Sequence, residues 1–193
     1  MKAGAWADHW TRRARAEGWR SRAVYKLEEL DRRDRIFSRG GRVVDLGAAP
    51  GGWSQYAARR VAPGGLVLAM DIEPMEPLAG VTLIQGDIAD PAAIADLGRM
   101  LDGPADAVIS DLAPKLSGNR DRDQAVSMEL SAMALEAALM LLGPGGAFVT
   151  KLFQGAGFEE FVAGARARLR KVRLRTPGAS RKASRETYLV GRA

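Results

Sequence analysis

The segment Val43-Val44-Asp45-Leu46-Gly47-Ala48-Ala49-Pro50-Gly51-Gly52-Trp53-Ser54-Gln55 constrains this chain more than any other. An apolar strand runs directly into a glycine-rich turn and then into a helix. Such a junction lets the backbone turn sharply and come within contact distance of a ligand, while the first turn of the helix offers unpaired N–H groups. Gly47, Gly51 and Gly52 are the positions that allow the approach. The segment therefore predicts a parallel α/β sheet with a nucleotide-like ligand over the carboxyl end of its first strand.

The glycine spacing argues against a dinucleotide. A pyrophosphate reader wants G-x-G-x-x-G, whereas this turn reads G-A-A-P-G-G, stiffened by Pro50. S-adenosylmethionine has no phosphate to hold and suits a loop that gives close approach without a full phosphate nest. Strand two, Leu66 to Asp71, ends in a carboxylate 24 residues after Gly47, where an acid accepts hydrogen bonds from ribose hydroxyls. Strand three, Val81 to Gln85, leads to Asp87, a candidate acceptor for an adenine amino group, and strand four, Ala107 to Ser110, leads to Asp111. Carboxylates at successive strand ends form a set that scattered solvated aspartates would not produce.

Strands alternate with helical patterns throughout, which predicts one domain over residues 1–193 with a doubly wound, mostly parallel sheet. Helices are expected at Trp53 to Val61, about Ala92 to Leu101, about Gln124 to Leu142 and about Phe158 to Leu169, the third packing on the sheet. Strand five is Ala147 to Lys151, and two more strands are expected near Val172 to Arg175 and Thr187 to Val190. No apolar run approaches a membrane span and no signal-peptide core is present, so the expected location is the cytoplasm, away from membranes. With no cysteine there is neither a disulfide framework nor a thiolate metal site, and the single histidine, His9, reads as a surface residue; no metal is expected.

The charge is unevenly distributed. Residues 1–42 carry 12 Lys and Arg against 6 acids, residues 165–193 carry 10 against 1, and the stretch between carries 7 against 16. Basic flanks around an acidic middle suggest a docking surface for an anionic polymer, since phosphate neutralisation supplies most nonspecific nucleic-acid affinity. Arginine abundance alone would explain the number but not the asymmetry.

The usual nucleophiles and bases are absent, so chemistry must come from lysines and carboxylates. Lys151 closes strand five at the carboxyl edge of the sheet, after a buried apolar run, and Asp111 should be its neighbour if strands four and five pair. Lys26 borders the apolar stripe Ala23, Leu27, Leu30 of an amphipathic segment, where an exposed helix lysine is an equal reading. Glu186 is the only acid of the last 29 residues, and a charge partner for the surrounding arginines is its plain reading.

The chain resembles the FtsJ/RrmJ family of S-adenosylmethionine-dependent ribosomal RNA 2′-O-ribose methyltransferases, the RlmE type, from about Arg20 to Val190. The likeness is carried by Arg20-Ser21-Arg22-Ala23 with Lys26-Leu27, the Asp45 to Gln55 turn, Gln85-Gly86-Asp87, Ser110-Asp111-Leu112-Ala113-Pro114, Lys151-Leu152-Phe153-Gln154-Gly155, and Ser180-Arg181 with Ser184-Arg185-Glu186-Thr187-Tyr188. It implies a Rossmann-like class I methyltransferase fold with a seven-stranded sheet. It implies a catalytic tetrad at Lys26, Asp111, Lys151 and Glu186, with Lys151 as general base, and cofactor contacts at Gly47, Gly51, Gly52, Trp53, Asp71, Asp87 and Asp111. A lysine base must shed its proton, which burial and a like charge favour. The resemblance further implies a uridine of large-subunit ribosomal RNA, within the subunit or its precursor, as acceptor, and a monomeric enzyme. The chain departs from the family's usual residues at Lys115, commonly Asn, and at Thr176-Pro177, commonly Lys-Pro.

Other readings remain open on the sequence. A nicotinamide-dependent oxidoreductase would share the sheet and Asp71 but lacks its glycine pattern, a noncatalytic RNA-binding module would need no tetrad, and a methyltransferase could act on transfer RNA or an mRNA cap.

Overall fold

A computed structural model of the chain describes residues 3–115, 117–180 and 185–193, with residues 3–8 described by backbone alone. Arg181 and Ser184 of the C-terminal motif lie outside the described residues. Along the chain, α1 (Ala3–Ala16) and α2 (Val24–Asp34) precede β1 (Arg42–Leu46), α3 (Gly52–Val61), β2 (Leu66–Asp71) and β3 (Thr82–Gln85). They are followed by α4 (Pro91–Leu101), β4 (Ala105–Ser110), α5 (Arg120–Leu141), β5 (Leu142–Phe153), α6 (Phe158–Arg168), β6 (Lys171–Arg175) and β7 (Glu186–Arg192).

The seven strands form one sheet in the order β3-β2-β1-β4-β5-β7-β6, parallel except for β7, which runs antiparallel to both β5 and β6. The expected pairing of strands four and five is present, with Ser110 beside Thr150. Buried strands explain the nearly continuous apolar runs: Val67, Leu68, Ala69 and Met70 are all enclosed, as a parallel sheet covered on both faces requires. On one face α4, α5 and α6 cover Leu46, Leu68, Val108 and Phe148; on the other α2 and α3 cover Val43, Ile109, Val149 and Tyr188. Strand order reverses between β1 and β4, which stay paired to their last residues, Leu46 and Ser110, so the connections leaving their carboxyl ends part to opposite faces and leave a crevice where ligands bind in open α/β sheets.

Two features differ from the sequence expectation. The N-terminal stretch, read only as a basic flank, contains helix α1; its Ala14 and the ring of Trp10 pack with Tyr25 of α2 rather than on the sheet, so no sheet-facing apolar stripe announces it. Also, among the described residues, α5 alone is long and apolar enough to cross a membrane, against the expectation that no segment reaches that threshold. Its apolar stretch is interrupted by Glu129 and Glu136, and Ala134, Leu135, Ala138 and Leu141 are enclosed against the sheet, as expected of that helix.

Candidate active site

The crevice begins with the glycine turn. Gly47 has φ +73°, and a Cβ there would stand 2.2 Å from Leu112 Cδ2, so backbone and the strand-four loop are in direct contact. Gly47→Ala combines that clash with left-handed backbone and is expected to destabilise the protein by about 1–3 kcal/mol, read as a lowered Tm; an unchanged Tm would refute the close packing. Gly52 faces Ser21 in the same way, its added Cβ meeting that side chain at 2.8 Å. Gly51 caps α3 and lies against Arg20, whose guanidinium donates to the carbonyls of Pro50, Glu76 and Pro77 at 3.3, 2.8 and 2.6 Å. Arg20 thus ties the glycine turn to the irregular segment between β2 and β3.

A recess of about 40 Å³ remains, lined by Ser21, Asp45, Gly47, Gly52, Trp53 and Asp111 among others. A larger cavity of about 360 Å³, lined by Arg35, Pro104, Asp106 and Gly145, opens at the opposite, amino-terminal edge of β4 and β5. Strand direction, not volume, identifies the functional end of a parallel sheet, and Gly47, Gly52, Trp53 and Asp111 of the residues singled out by sequence line the smaller recess.

Asp45 closes the floor of the recess. It is 1 % exposed, its Oδ2 accepts from Ser54 Oγ at 2.6 Å, and its Oδ1 is buried with no hydrogen-bond partner among the described residues. Burial pushes its carboxyl up to about 7, and the Asp111 and Asp71 charges add to the rise. Sequence analysis singled out the turn but not this residue; an acid inside an otherwise apolar strand was the available signal. Trp53 is enclosed; its Nε1 donates to the Ala23 carbonyl at 2.9 Å and its ring lies 5.7 Å from that of Tyr188.

Of the outer acids, Asp71 braces the turn, its Oδ2 accepting from the Ala49 N–H and its Oδ1 from that of Glu73, both at 2.8 Å. Asp87 is exposed two strands from the recess and accepts from the Ala89 N–H at 2.9 Å. Neither lines the recess itself. Ile72, beside Asp71, is 56 % exposed and presents an apolar ledge on the same rim. Lys115 Nζ reaches Glu73 at 3.0 Å, so the departure at Lys115 joins the loops after β4 and β2.

The four tetrad candidates meet. Lys26 Nζ lies 2.8 Å from Glu186 Oε2, and Lys151 Nζ lies 3.1 Å from Asp111 Oδ1 and donates to the Asp111 carbonyl at 2.7 Å. The two ion pairs are joined by Tyr188, whose hydroxyl donates to Asp111 Oδ1 at 2.8 Å and accepts from Lys26 Nζ at 3.3 Å. Tyr188 lies in the C-terminal motif, where the sequence alone assigns it no role. Its signal is positional: it is two residues past Glu186 on the same strand face and pairs in register with Lys151.

The electrostatics follow from enclosure. Burial pushes Glu186 up, but the charge and hydrogen bond of Lys26 and the Ser180 hydroxyl at 2.7 Å leave it below the ordinary carboxylate value. Tyr188 is fully buried, and burial together with the Asp111 and Glu186 charges raises its phenol well above normal, so it remains a donor. Two cations and two anions alternate around one neutral hydroxyl, and Asp111 belongs both to this group and to the recess wall. Among the described residues no group of three or more His, Cys, Asp or Glu side chains could hold a metal ion.

Sheet order, a glycine cradle at the switch point and an adjoining lysine–carboxylate cluster together define a Rossmann-like methyltransferase. The chain belongs to the FtsJ-like methyltransferase family, whose sequence profile matches residues 19–193. It is 50 % identical over 186 residues, covering 96 % of this chain and 89 % of the relative, to the ribosomal RNA large subunit methyltransferase E of Xanthomonas oryzae pv. oryzae strain PXO99A. Among solved structures, one described as a ribosomal RNA methyltransferase from Plasmodium falciparum superposes with a TM-score of 0.81 at 26 % identity, covering 90 % of this chain and 97 % of that one. The fold is also shared with an rRNA-methylase structure from Clostridium thermocellum, at a TM-score of 0.60 and 20 % identity, over 87 % of this chain and 97 % of that one.

Proposed function

We propose that the protein transfers a methyl group from S-adenosylmethionine to the ribose 2′-hydroxyl of a uridine in large-subunit ribosomal RNA. The observation that carries this reading is the junction at Asp111: one half-buried residue lines the ligand recess and is also paired with the buried Lys151. A methyl donor and an activated hydroxyl would have to meet at such a point.

The residues present fit S-adenosylmethionine. Asp45 has a buried oxygen, without a hydrogen-bond partner among the described residues, that a cationic ligand would satisfy, and Gly47 and Gly52 line the recess beside it. Gly51 and Trp53 shape the turn and its helix. Asp71 is the acceptor for the ribose hydroxyls, Asp87 for the adenine amino group, and Ile72 supplies an apolar ledge for the ring. When bound, the cofactor supplies an electrophilic methyl group on a sulfonium centre.

Once its ammonium has released a proton to solvent, the neutral Lys151 amine takes the proton of the attacking 2′-hydroxyl at Nζ; two of the three directions around that nitrogen are used on Asp111, which leaves one for the lone pair. Asp111 orients Lys151 from one side, and Tyr188 fixes Asp111 from the other. Lys26, held by Glu186, brings a second positive charge to the same cluster, suited to a phosphate or ribose oxygen of the acceptor. A 2′-hydroxyl is what distinguishes RNA from DNA as an acceptor.

The residues are read as one methyltransferase domain over 1–193, acting as a monomer in the cytoplasm without a membrane. The basic flanks 1–42 and 165–193 contact RNA, within the large subunit or its precursor. The 50 % identity to a large subunit methyltransferase favours this substrate over transfer RNA.

The test is incubation with methyl-labelled S-adenosylmethionine and, separately, undermethylated large subunits, small subunits and transfer RNA, followed by nucleoside analysis. The expected product is 2′-O-methyluridine from the large subunit alone. Label only in transfer RNA would overturn the substrate, and no label with cofactor bound would leave a binding protein.

A further inference from the structure

Strand β6 forms one edge of the sheet, and all three of its charges fall on one face. Its register with β7 sets Arg175 beside Tyr188, Arg173 beside Val190 and Lys171 beside Arg192, and cross-strand pairs share a face. That face is the one packed by α2, since Tyr188 and Val190 belong to the core beneath it; Val172, on the other face, packs with the opposite core. Lys151 is also paired with Tyr188. A single row across three strands, Lys151, Tyr188, Arg175, therefore leads from the candidate active site to the sheet edge, where Arg173 and Lys171 continue it. Alternate strand residues stand about 6.8 Å apart, so the cations form a ladder.

The upper two rungs are held in place. Asp34, whose side chain is 2 % exposed at the end of α2, accepts from Arg173 Nη1 at 2.9 Å and from Arg175 Nε and Nη2 at 2.8 Å. One buried carboxylate shared by two guanidinium groups fixes their positions and leaves net positive charge, and 43 % of the Arg173 side chain remains exposed. Lys171 is exposed. Cations on an edge strand also discourage edge-to-edge sheet pairing, but charges of either sign on either face would serve that end. Here every one takes the face continuous with the tetrad.

We infer that the β6 ladder of Lys171, Arg173 and Arg175 is a phosphate track, carrying the RNA strand that leaves the reaction site. The inference rests on the RNA reading above and adds the path of the substrate. Phosphate contacts of this kind position a nucleic acid without reading its bases, so the track sets register and affinity rather than nucleotide choice.

The experiment measures binding of a fluorescently labelled single-stranded RNA to the full chain across a KCl series, with turnover on large-subunit RNA alongside. In the double variant Lys171→Gln, Arg173→Gln the slope of log affinity against log salt is expected to shrink by about 1.4, roughly 0.7 for each lost contact to a single strand. KM for RNA should rise while kcat holds, and Lys171→Gln alone, at an exposed position, should give half the change with an unaltered Tm. The comparison variant Arg59→Gln, Arg99→Gln removes equal charge from exposed positions on α3 and α4, outside both basic flanks, and should leave the slope nearly as in the unmutated protein. An unchanged slope in the β6 variant, or equal losses in both, would overturn the track; equal losses would mean net charge alone is sensed. Absence of salt-dependent RNA binding in the unmutated chain would instead withdraw the RNA reading itself. Retained RNA affinity in the β6 variant with loss of binding to an acidic protein segment would assign the ladder to a protein partner and also overturn it.

Discussion

Lys151→Ala should lower turnover by about 10²–10⁴-fold, the usual worth of general-base help, while cofactor affinity stays close to that of the unmutated protein. The lysine sits at the end of β5 with 6 % of its surface exposed, and its nitrogen touches Asp111 twice, through the side chain and the carbonyl. Truncation leaves Asp111 hydrogen-bonded to Tyr188, so the recess wall keeps one of its supports. Alanine alone does not separate a proton acceptor from a fixed charge. Lys151→Arg does, because a guanidinium keeps the charge but cannot be deprotonated in a protein. Both variants should therefore be nearly inactive under single-turnover conditions with cofactor and RNA saturating. A near-normal rate in the arginine variant would eliminate the base role and leave only electrostatic stabilisation.

Asp45→Asn should stabilise the ligand-free protein at pH 8 and weaken its hold on S-adenosylmethionine. The Asp45 carboxyl is raised to about 7 in the folded state, chiefly by burial, against about 3.9 in the unfolded chain. Below the unfolded value both states are protonated and the residue is neutral in its effect. As pH rises from about 4 to 7 the unfolded chain ionises first, so stability is lost progressively and the full penalty stands above about 7. Three pH units of separation correspond to about 4 kcal/mol, from which the amide's own unpaired N–H subtracts about 1–3 kcal/mol. The amide variant is thus expected to gain on the order of 1–3 kcal/mol at pH 8 and to lose the decline between pH 4 and 7. Thermal denaturation at pH 5 and 8 reads both effects. A Tm at pH 8 equal to or below that of the unmutated chain would show that Asp45 is not the source of the decline. Reduced affinity for S-adenosylmethionine, measured by calorimetry, is the second half of the expectation, because an amide cannot pair with a cation.

These two residues differ in how far the sequence revealed them. Lys151 was legible because a lysine ending an apolar strand at the ligand edge has no comfortable solvent-exposed interpretation. Asp45 stood within the most constraining segment, yet its ionisation depends on Ser54, Asp71 and Asp111 closing around it. Lys26 and Glu186 were ambiguous on pattern alone, since a helix-border lysine and an acid among arginines each have an ordinary surface reading. Their 2.8 Å contact joins residues 160 positions apart, a separation no local periodicity encodes. Asp71 was expected to face a ligand, and the structure shows it bracing the backbone of Ala49, because a turn this sharp leaves an N–H that needs an acceptor.

The succession of strands and helices after α1, the position of the glycine cradle, and Lys151 with Asp111 at the strand ends were legible in local pattern: apolar strand runs, period-3.6 helices, turn chemistry and motif spacing; Lys26 and Glu186 came only with the family resemblance. Register was not. That Lys151, Tyr188 and Arg175 form one row, that a phenol links two ion pairs, and that a single aspartate on α2 holds two arginines of the edge strand all follow from the antiparallel pairing of β7 with β5 and β6. Pairing of strands distant in sequence is chosen by the enclosure of the whole core, and only the folded chain expresses it.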